Sequence, residues 1–274
     1  MIQFLRKNWY QLFKYAVYIA LMLNVVLFLK REVAAAETRF ADGFSWSNFI
    51  DAYTATMDTG AWFLLLILFE LVTYIIPDKK LTGVTIWGIR ALRGLAYFVI
   101  LYSFTGYLSS YLWINGFEAV EPMELCELKG NEWMKEVDEF IMIKSGNCET
   151  LMKGKQLFKY PEKSIFIDEV GRKDAYILAL VDLINSMSWI LVVILLEIDV
   201  WLQWRGRFTG WALATSKIAK RVLYAILIAA SIYWGIFGQF LDFWDAFLWI
   251  VAFFFIEMNL FEWQKETEEA PLAQ

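Results

Sequence analysis

Residues 175–203 read AYILALVDLINSMSWILVVILLEIDVWLQ, a stretch that is apolar over most of its length. A helix needs about 20 largely apolar residues to cross a bilayer, so this stretch predicts a transmembrane helix. Further stretches of the same kind occupy residues 9–30, 61–77, 91–113, 220–240 and 243–263. The sequence therefore predicts an all-α integral membrane protein, built as a bundle of six transmembrane helices.

The composition also indicates a membrane protein. Of the 274 residues, 59% are hydrophobic, whereas an average soluble domain is about 45–50% apolar. Membrane lipids are the predicted partners, and the net charge of −5 argues against a nucleic-acid partner. Histidine is absent, which excludes histidine-based nucleophilic catalysis and histidine-ligated metal or haem sites. We predict no catalytic residue, metal site or cofactor; a lipid-modifying enzyme that uses carboxylates and tyrosines is the less favoured alternative.

The Lys and Arg residues predict the orientation of the bundle. They cluster at the span ends that share a side with the N-terminus, as at Arg6, Lys79 and Arg205. Positive charge favours the cytosolic side, so we expect both termini in the cytosol and the bundle in a bacterial inner membrane. The inverted topology is the alternative. The first span is followed by no cleavage site, so we expect it to be retained.

The long loop between the third and fourth spans holds both cysteines. The predicted domains are transmembrane helices 1–3 (1–113), an extracytoplasmic loop domain (114–174), transmembrane helices 4–6 (175–263) and an acidic cytosolic tail (264–274). Two cysteines in one extracytoplasmic segment, Cys126 and Cys148, predict a disulfide, with two free thiols as the alternative. Apolar residues between them recur at helical spacing and predict an amphipathic helix: Trp133, Val137, Phe140 and Ile141.

The even-numbered spans share a spacing of an Asp or Asn, a Trp four residues later and a Glu eight residues after that. Its members are Asp58, Trp62 and Glu70; Asn185, Trp189 and Glu197; and Asp245, Trp249 and Glu257. The odd-numbered spans share a basic residue with a Tyr four positions later: Lys14 and Tyr18, Arg93 and Tyr97, Lys220 and Tyr224. The spacing suggests three repeated helical hairpins. Placement of Trp and Tyr at the membrane interfaces is the other explanation.

Four carboxylates fall inside the predicted membrane region: Glu70, Glu197, Asp199 and Glu257. The glutamates lie about 12 Å from the cytosolic charges that follow them, counting 1.5 Å per helical residue. Ionisable residues at such depth are costly and are functional candidates by default. One interpretation is a small transporter or channel for a cation or proton. Its pore-lining candidates are Asp182, Asn185, Asn24, Tyr18, Tyr97 and Tyr224.

The other interpretation assigns the same carboxylates to interhelical salt bridges. Lys14, Arg93 and Lys220 are predicted at a depth similar to that of the glutamates. Pairing makes intramembrane charges tolerable without any transport. The protein would then be a non-catalytic scaffold or a subunit of a membrane complex, with a second copy or another membrane protein as its partner.

Overall fold

The computed structural model describes residues 2–40, 45–72, 76, 83–121, 124–137, 139–161, 163–205, 209–237 and 240–253. Most of these residues are helical. The helices are α1 (Ile2–Arg39), α2 (Phe49–Ala52), α3 (Thr54–Glu70), α4 (Gly83–Ile114), α5 (Cys148–Leu151), α6 (Glu169–Trp204), α7 (Gly210–Ile236) and α8 (240–253). The strands are β1 (Glu118–Ala119), β2 (Glu132–Glu136), β3 (Glu139–Met142), β4 (Leu157–Lys159) and β5 (Ile165–Asp168).

Four helical segments in the described ranges are long and apolar enough to cross a membrane: Gln11–Arg39, Gly83–Ile114, Glu169–Asp199 and Gly210–Ile236. They indicate a multi-pass membrane protein. Helix α3 has 17 residues, so it is about 26 Å long, slightly less than the hydrocarbon core of about 30 Å. The predicted sixth span reaches residue 263, and its part after residue 253 lies outside the described residues. That the protein has six spans therefore stays a prediction.

Helix α1 continues to Arg39 instead of ending at residue 30, where the sequence turns charged. Neighbouring helices provide partners for the charges that follow. Arg31 Nη1 is 2.8 Å from an Asp242 oxygen. The Glu32 carboxylate accepts hydrogen bonds from the backbone N–H groups of Ala55, at 2.7 Å, and Thr56, at 3.0 Å. Charges that are paired in this way do not end a helix inside a bundle.

The helices pack side by side, with α3 against α1 and α4, α4 against α6, and α6 against α7. Helix α4 comes close to the N-terminus of α3 at Gly106. A Cβ atom at Gly106 would overlap the hydroxyl of Thr54, so this contact requires glycine. Small residues allow such close approach of helices in membrane bundles.

The segment between α4 and α6, which we call the insert, contains a five-stranded sheet of order β1-β4-β5-β2-β3. The predicted amphipathic helix is therefore wrong, as is the all-α class for this segment. Strands β2 and β3 form an antiparallel hairpin that pairs Trp133 with Ile141, and β2 also pairs in parallel with β5. The local spacing of apolar residues fits a helix as well as a strand. It does not show that this segment pairs with a strand far away in the sequence.

The predicted disulfide between Cys126 and Cys148 is confirmed. It joins the turn Leu125–Glu127 to α5. The bridge lies against an apolar core of Leu125, Trp133, Ile143, Leu157 and Phe166. The insert therefore has a small core and a covalent link of its own.

Candidate functional site

The tryptophans of the repeated spacing meet at the centre of the bundle. The ring centroid of Trp62 is 6.1 Å from that of Trp189 and 6.4 Å from that of Trp249. Phe253 packs against the same group, 4.6 Å from Trp189. All four side chains are buried. The three spaced tryptophans thus form one aromatic cluster, while the repeat of three hairpins stays a prediction.

This cluster lines one part of a cavity that extends toward the insert, where Val137 contributes to its wall. We call it the acidic cavity. Its volume is about 80 Å³, which is room for several water molecules. Six carboxyl-bearing residues and one basic residue line its described part: Glu32, Asp51, Asp58, Asp182, Asp242, Asp245 and Arg31. The acids therefore outnumber the base on the described walls.

Two of these acids hold the fold together. Both oxygens of Asp242 accept hydrogen bonds from the guanidinium of Arg31, at 2.8 and 3.1 Å. Such a bidentate pair is the strongest common geometry for a carboxylate and an arginine. Glu32 caps the first turn of α3 through Ala55 and Thr56. These contacts join α1 to α3 and to α8.

Asp58 lies on α3, one turn before Trp62 of the aromatic cluster. Its two oxygens accept hydrogen bonds from Trp62 Nε1 at 3.1 Å and from the hydroxyl of Tyr107 at 3.2 Å. Tyr107 belongs to α4, so Asp58 connects two helices through neutral donors. These donors hold the carboxylate in place. Because they are neutral, they do not balance its negative charge.

Asp182 and Asp245 also accept hydrogen bonds from neutral side chains. Asp182 on α6 accepts a hydrogen bond from Trp234 Nε1 at 3.1 Å. Asp245 on α8 accepts one from Asn24 Nδ2 of α1 at 2.8 Å. Three aspartates on three different helices therefore face one cavity, each oriented by a neutral side chain. Asn185, one turn after Asp182 on α6, lines the same wall.

Glu70 and Asp199, which the depth argument favoured, lie outside the acidic cavity. Glu70 is about 18 Å along α3 from Asp58, at 1.5 Å per residue. It is buried against Lys14, whose ammonium is 2.5 Å away, and accepts a hydrogen bond from Tyr18 at 3.3 Å. Asp199 is paired with Lys220 at 2.8 Å and with Ser216 at 2.7 Å. These contacts match the salt-bridge interpretation for both carboxylates.

Glu197 is exposed and accepts a hydrogen bond from the Tyr97 hydroxyl at 3.0 Å. Both residues line an apolar groove of about 600 Å³ between α4 and α6. Arg93 is half-buried one turn before Tyr97, and Tyr224 is half-buried one turn after Lys220. Glu257 lies outside the described residues. In the described part of the chain, none of Glu70, Glu197 and Asp199 lines the acidic cavity.

Of the predicted pore-lining residues, the structure brings Asp182 and Asn185 into the acidic cavity, and Asn24 touches it through Asp245. Sequence reasoning did not assign Asp58 or Asp245 to a site, although both begin a copy of the repeated spacing. Arg31, Glu32 and Asp51 were also not predicted as site residues, because they lie between the first two apolar stretches, where the sequence predicts a loop. The repeated spacing was the sequence signal that could have identified Asp58 and Asp245 as site residues.

The fold and the site define a class: a multi-pass helical membrane protein with an acidic, aromatic-lined cavity in the bundle and a disulfide-bonded β insert. No protein-family model, curated protein or solved structure matches the chain. The functional argument therefore rests on the chemistry of the cavity.

Proposed function

We propose that the chain is a small membrane transporter or channel for a cation or for protons, and that the acidic cavity is its binding site. The observation that carries the proposal is the set of Asp58, Asp182 and Asp245, oriented by neutral donors around a space the size of several water molecules. Carboxylates inside a membrane are costly and typically mark ion or proton pathways. Oxygen ligands suit protons and hard cations.

Two further features support this choice of site. The three aspartates come from α3, α6 and α8, so a movement between helices would change their separation and their affinity for a cation. Lys14 and Glu70 form a buried ion pair toward the opposite end of α1 and α3. This pair would obstruct the path beyond the aromatic cluster until the helices move. A binding site near the middle of the bundle, closed on one side by a contact that helix movement could open, fits alternating access.

We propose that the insert is extracytoplasmic, that both termini are cytosolic and that the membrane is a bacterial inner membrane. The Lys and Arg distribution supports the orientation, and the disulfide supports an oxidising compartment for the insert. In this orientation the acidic cavity is entered from outside the cytosol.

Labelling of the cysteines tests the bridge and the orientation together. Without reduction, a membrane-impermeant maleimide is expected to label neither Cys126 nor Cys148 in intact cells, because both sulfurs are in the bridge. Reduction should then make the half-buried Cys126 reactive without permeabilising the cells. A Cys148→Ser variant is the control, because it leaves Cys126 as the free thiol. Failure to label this control until the membrane is permeabilised would contradict the proposed orientation.

The second candidate function is a non-catalytic scaffold or complex subunit. The observation that favours it is the pairing of Glu70 with Lys14 and of Asp199 with Lys220, which accounts for two intramembrane carboxylates without transport. It leaves the acidic cavity unexplained, since the side chains that donate hydrogen bonds to Asp58 and Asp245 are neutral. We therefore rank it second.

Flux measurements distinguish the two functions. Liposomes containing the purified protein are expected to show Na⁺, K⁺ or proton flux that an Asp58→Asn variant lowers at least about tenfold, which corresponds to about 1.4 kcal/mol. An asparagine oxygen can still accept hydrogen bonds from Trp62 or Tyr107, so folding should be kept. Glu197→Gln is the matched control, a membrane-region acid outside the cavity, and should leave the flux unchanged. Absence of flux from the unmodified protein, or equal flux from Asp58→Asn, would favour the scaffold.

A further inference from the structure

The groove between α4 and α6, which we call the apolar groove, lies on the outer face of the bundle. Its volume is about 600 Å³, within the range of about 300–1,000 Å³ that is usual for small-molecule sites. Apart from Tyr97 and Glu197, its lining residues are aliphatic or tryptophan. Four of them are between 45% and 55% exposed: Leu101, Ile194, Ile198 and Trp201. Because α4 and α6 are membrane-spanning helices, these side chains face hydrocarbon.

The length of the apolar groove matches one leaflet of a bilayer. Along α6 the groove extends from Ile190 to Trp201, which is about 16 Å at 1.5 Å per residue. The hydrocarbon core of a bilayer is about 30 Å thick, so one leaflet supplies about half of that. A single acyl chain of one leaflet therefore fits the groove in length and in polarity.

Two hydrogen bonds between α4 and α6 show which residues share an end of the apolar groove. The hydroxyl groups of Tyr111 and Tyr176 are 2.6 Å apart, and the Tyr97 hydroxyl donates to Glu197 at 3.0 Å. A later residue of α4 thus meets an earlier residue of α6, so the two helices run antiparallel. Residues that precede Tyr97 lie at the same end of the groove as residues that follow Glu197.

Arginines from both helices lie at this end. Arg205 follows the last residue of α6, and its guanidinium carbon is 4.1 Å from the ring centroid of Trp201, a wall of the groove. Arg93 is half-buried on α4, one turn before Tyr97. Within the described ranges, neither arginine forms an ion pair with a carboxylate. Long basic side chains beside tryptophan at the end of a span reach the headgroup level, and the guanidinium group is well suited to phosphate.

We propose that the apolar groove binds one phospholipid with an anionic headgroup. One acyl chain lies between α4 and α6, and the phosphate lies at the end of the groove that carries Arg93 and Arg205. The arginines attract net negative charge and repel the ammonium of a zwitterionic headgroup. Glu197 is about 12 Å deeper than Arg205 along α6, so it does not contact the headgroup. This site is separate from the acidic cavity, and the inference does not depend on transport.

Native mass spectrometry of the full-length protein in detergent tests the headgroup contact. Dioleoyl phosphatidylglycerol and dioleoyl phosphatidylcholine are titrated separately, because they differ only in the headgroup. Phosphatidylglycerol is expected to bind more tightly. Arg205→Gln should weaken its binding about fivefold, the contribution of one basic residue at a lipid surface, and should leave phosphatidylcholine binding unchanged. Arg221→Gln is the matched control, an exposed arginine of α7 that does not line the groove.

Equal affinity of the unmodified protein for the two lipids would overturn the anionic headgroup preference. Equal affinity of Arg205→Gln and Arg221→Gln for phosphatidylglycerol would overturn the phosphate contact.

A second variant, Ile194→Trp, tests the acyl-chain contact by filling the apolar groove. It should weaken the binding of both lipids at least about tenfold, the effect of excluding two or more CH₂ groups. Ile228→Trp on α7 is the matched control, because Ile194 and Ile228 are both 47% exposed and Ile228 does not line the groove. Unchanged lipid binding by Ile194→Trp would overturn the proposal. A lower melting temperature in the same variant would then indicate a protein segment in the groove, from this chain or from a second copy.

Discussion

Replacing Glu70 by glutamine is expected to lower the free energy of unfolding by about 3–5 kcal/mol, the cost of breaking a buried ion pair on one side. The ammonium of Lys14 and the carboxylate of Glu70 are 2.5 Å apart. Only 4% of Lys14 and 3% of Glu70 is exposed. The glutamine would remove the negative charge that lies next to this buried ammonium. Thermal unfolding of the purified protein in detergent measures the effect.

A double variant, Lys14→Gln with Glu70→Gln, should recover much of the lost stability, because it removes both charges. Glu197→Gln provides the matched control. Glu197 is exposed and accepts a hydrogen bond from the neutral Tyr97 hydroxyl, so its loss should cost less than about 1 kcal/mol. A Glu70→Gln protein as stable as the unmodified one would contradict the structural role of this pair.

An Asp168→Ala variant is expected to lose about 3 kcal/mol of stability or more, because three backbone N–H groups would lose a charged, buried acceptor. Asp168 is 2% exposed. One of its oxygens accepts the N–H groups of Lys153 and Gly154, both at 2.5 Å. The other accepts the N–H of Gly171 at 2.7 Å, in the first turn of α6. This carboxylate therefore connects the insert to the helix that carries Asp182 and Asn185.

Thermal unfolding and the rate of proteolysis within the insert measure this loss. Glu169→Ala is the neighbouring control. Glu169 is exposed in the first turn of α6, where a negative charge contributes about 0.3–1 kcal/mol through the helix dipole. Asp168→Asn should lie between the two, because its amide keeps one acceptor oxygen. Equal stability of Asp168→Ala and Glu169→Ala would show that Asp168 does not link the insert to α6.

The local sequence predicts the helices of the bundle well because a membrane span is a property of one continuous segment. Apolar runs longer than about 20 residues correspond to α1, α4, α6 and α7. The two cysteines in one loop predict the bridge that the structure contains. The spacing of Trp62, Trp189 and Trp249 also singles out residues that meet in the fold.

Other features depend on contacts between segments far apart in the chain. The sheet of the insert forms only when β5 lies beside β2. The partner of each carboxylate in the bundle depends on which helix lies opposite that side chain. Glu70 and Asp58 share α3, but Glu70 faces Lys14 of α1 and Asp58 faces Tyr107 of α4. The depth of both residues in the membrane can be counted from the sequence. Depth alone does not tell whether a carboxylate forms a salt bridge or lines a cavity.

The sequence by itself therefore determined a multi-pass helical membrane protein with a disulfide and a set of acids within the bundle. Hydropathy, cysteine placement and residue spacing are local properties, and the sequence contains them in full. Only the tertiary structure decided that Asp58, Asp182 and Asp245 surround one cavity, while Glu70 and Asp199 are paired with lysines. The physical reason is that the rotation and packing of each helix select the neighbours of its side chains, and the energetic cost of a buried charge depends on those neighbours.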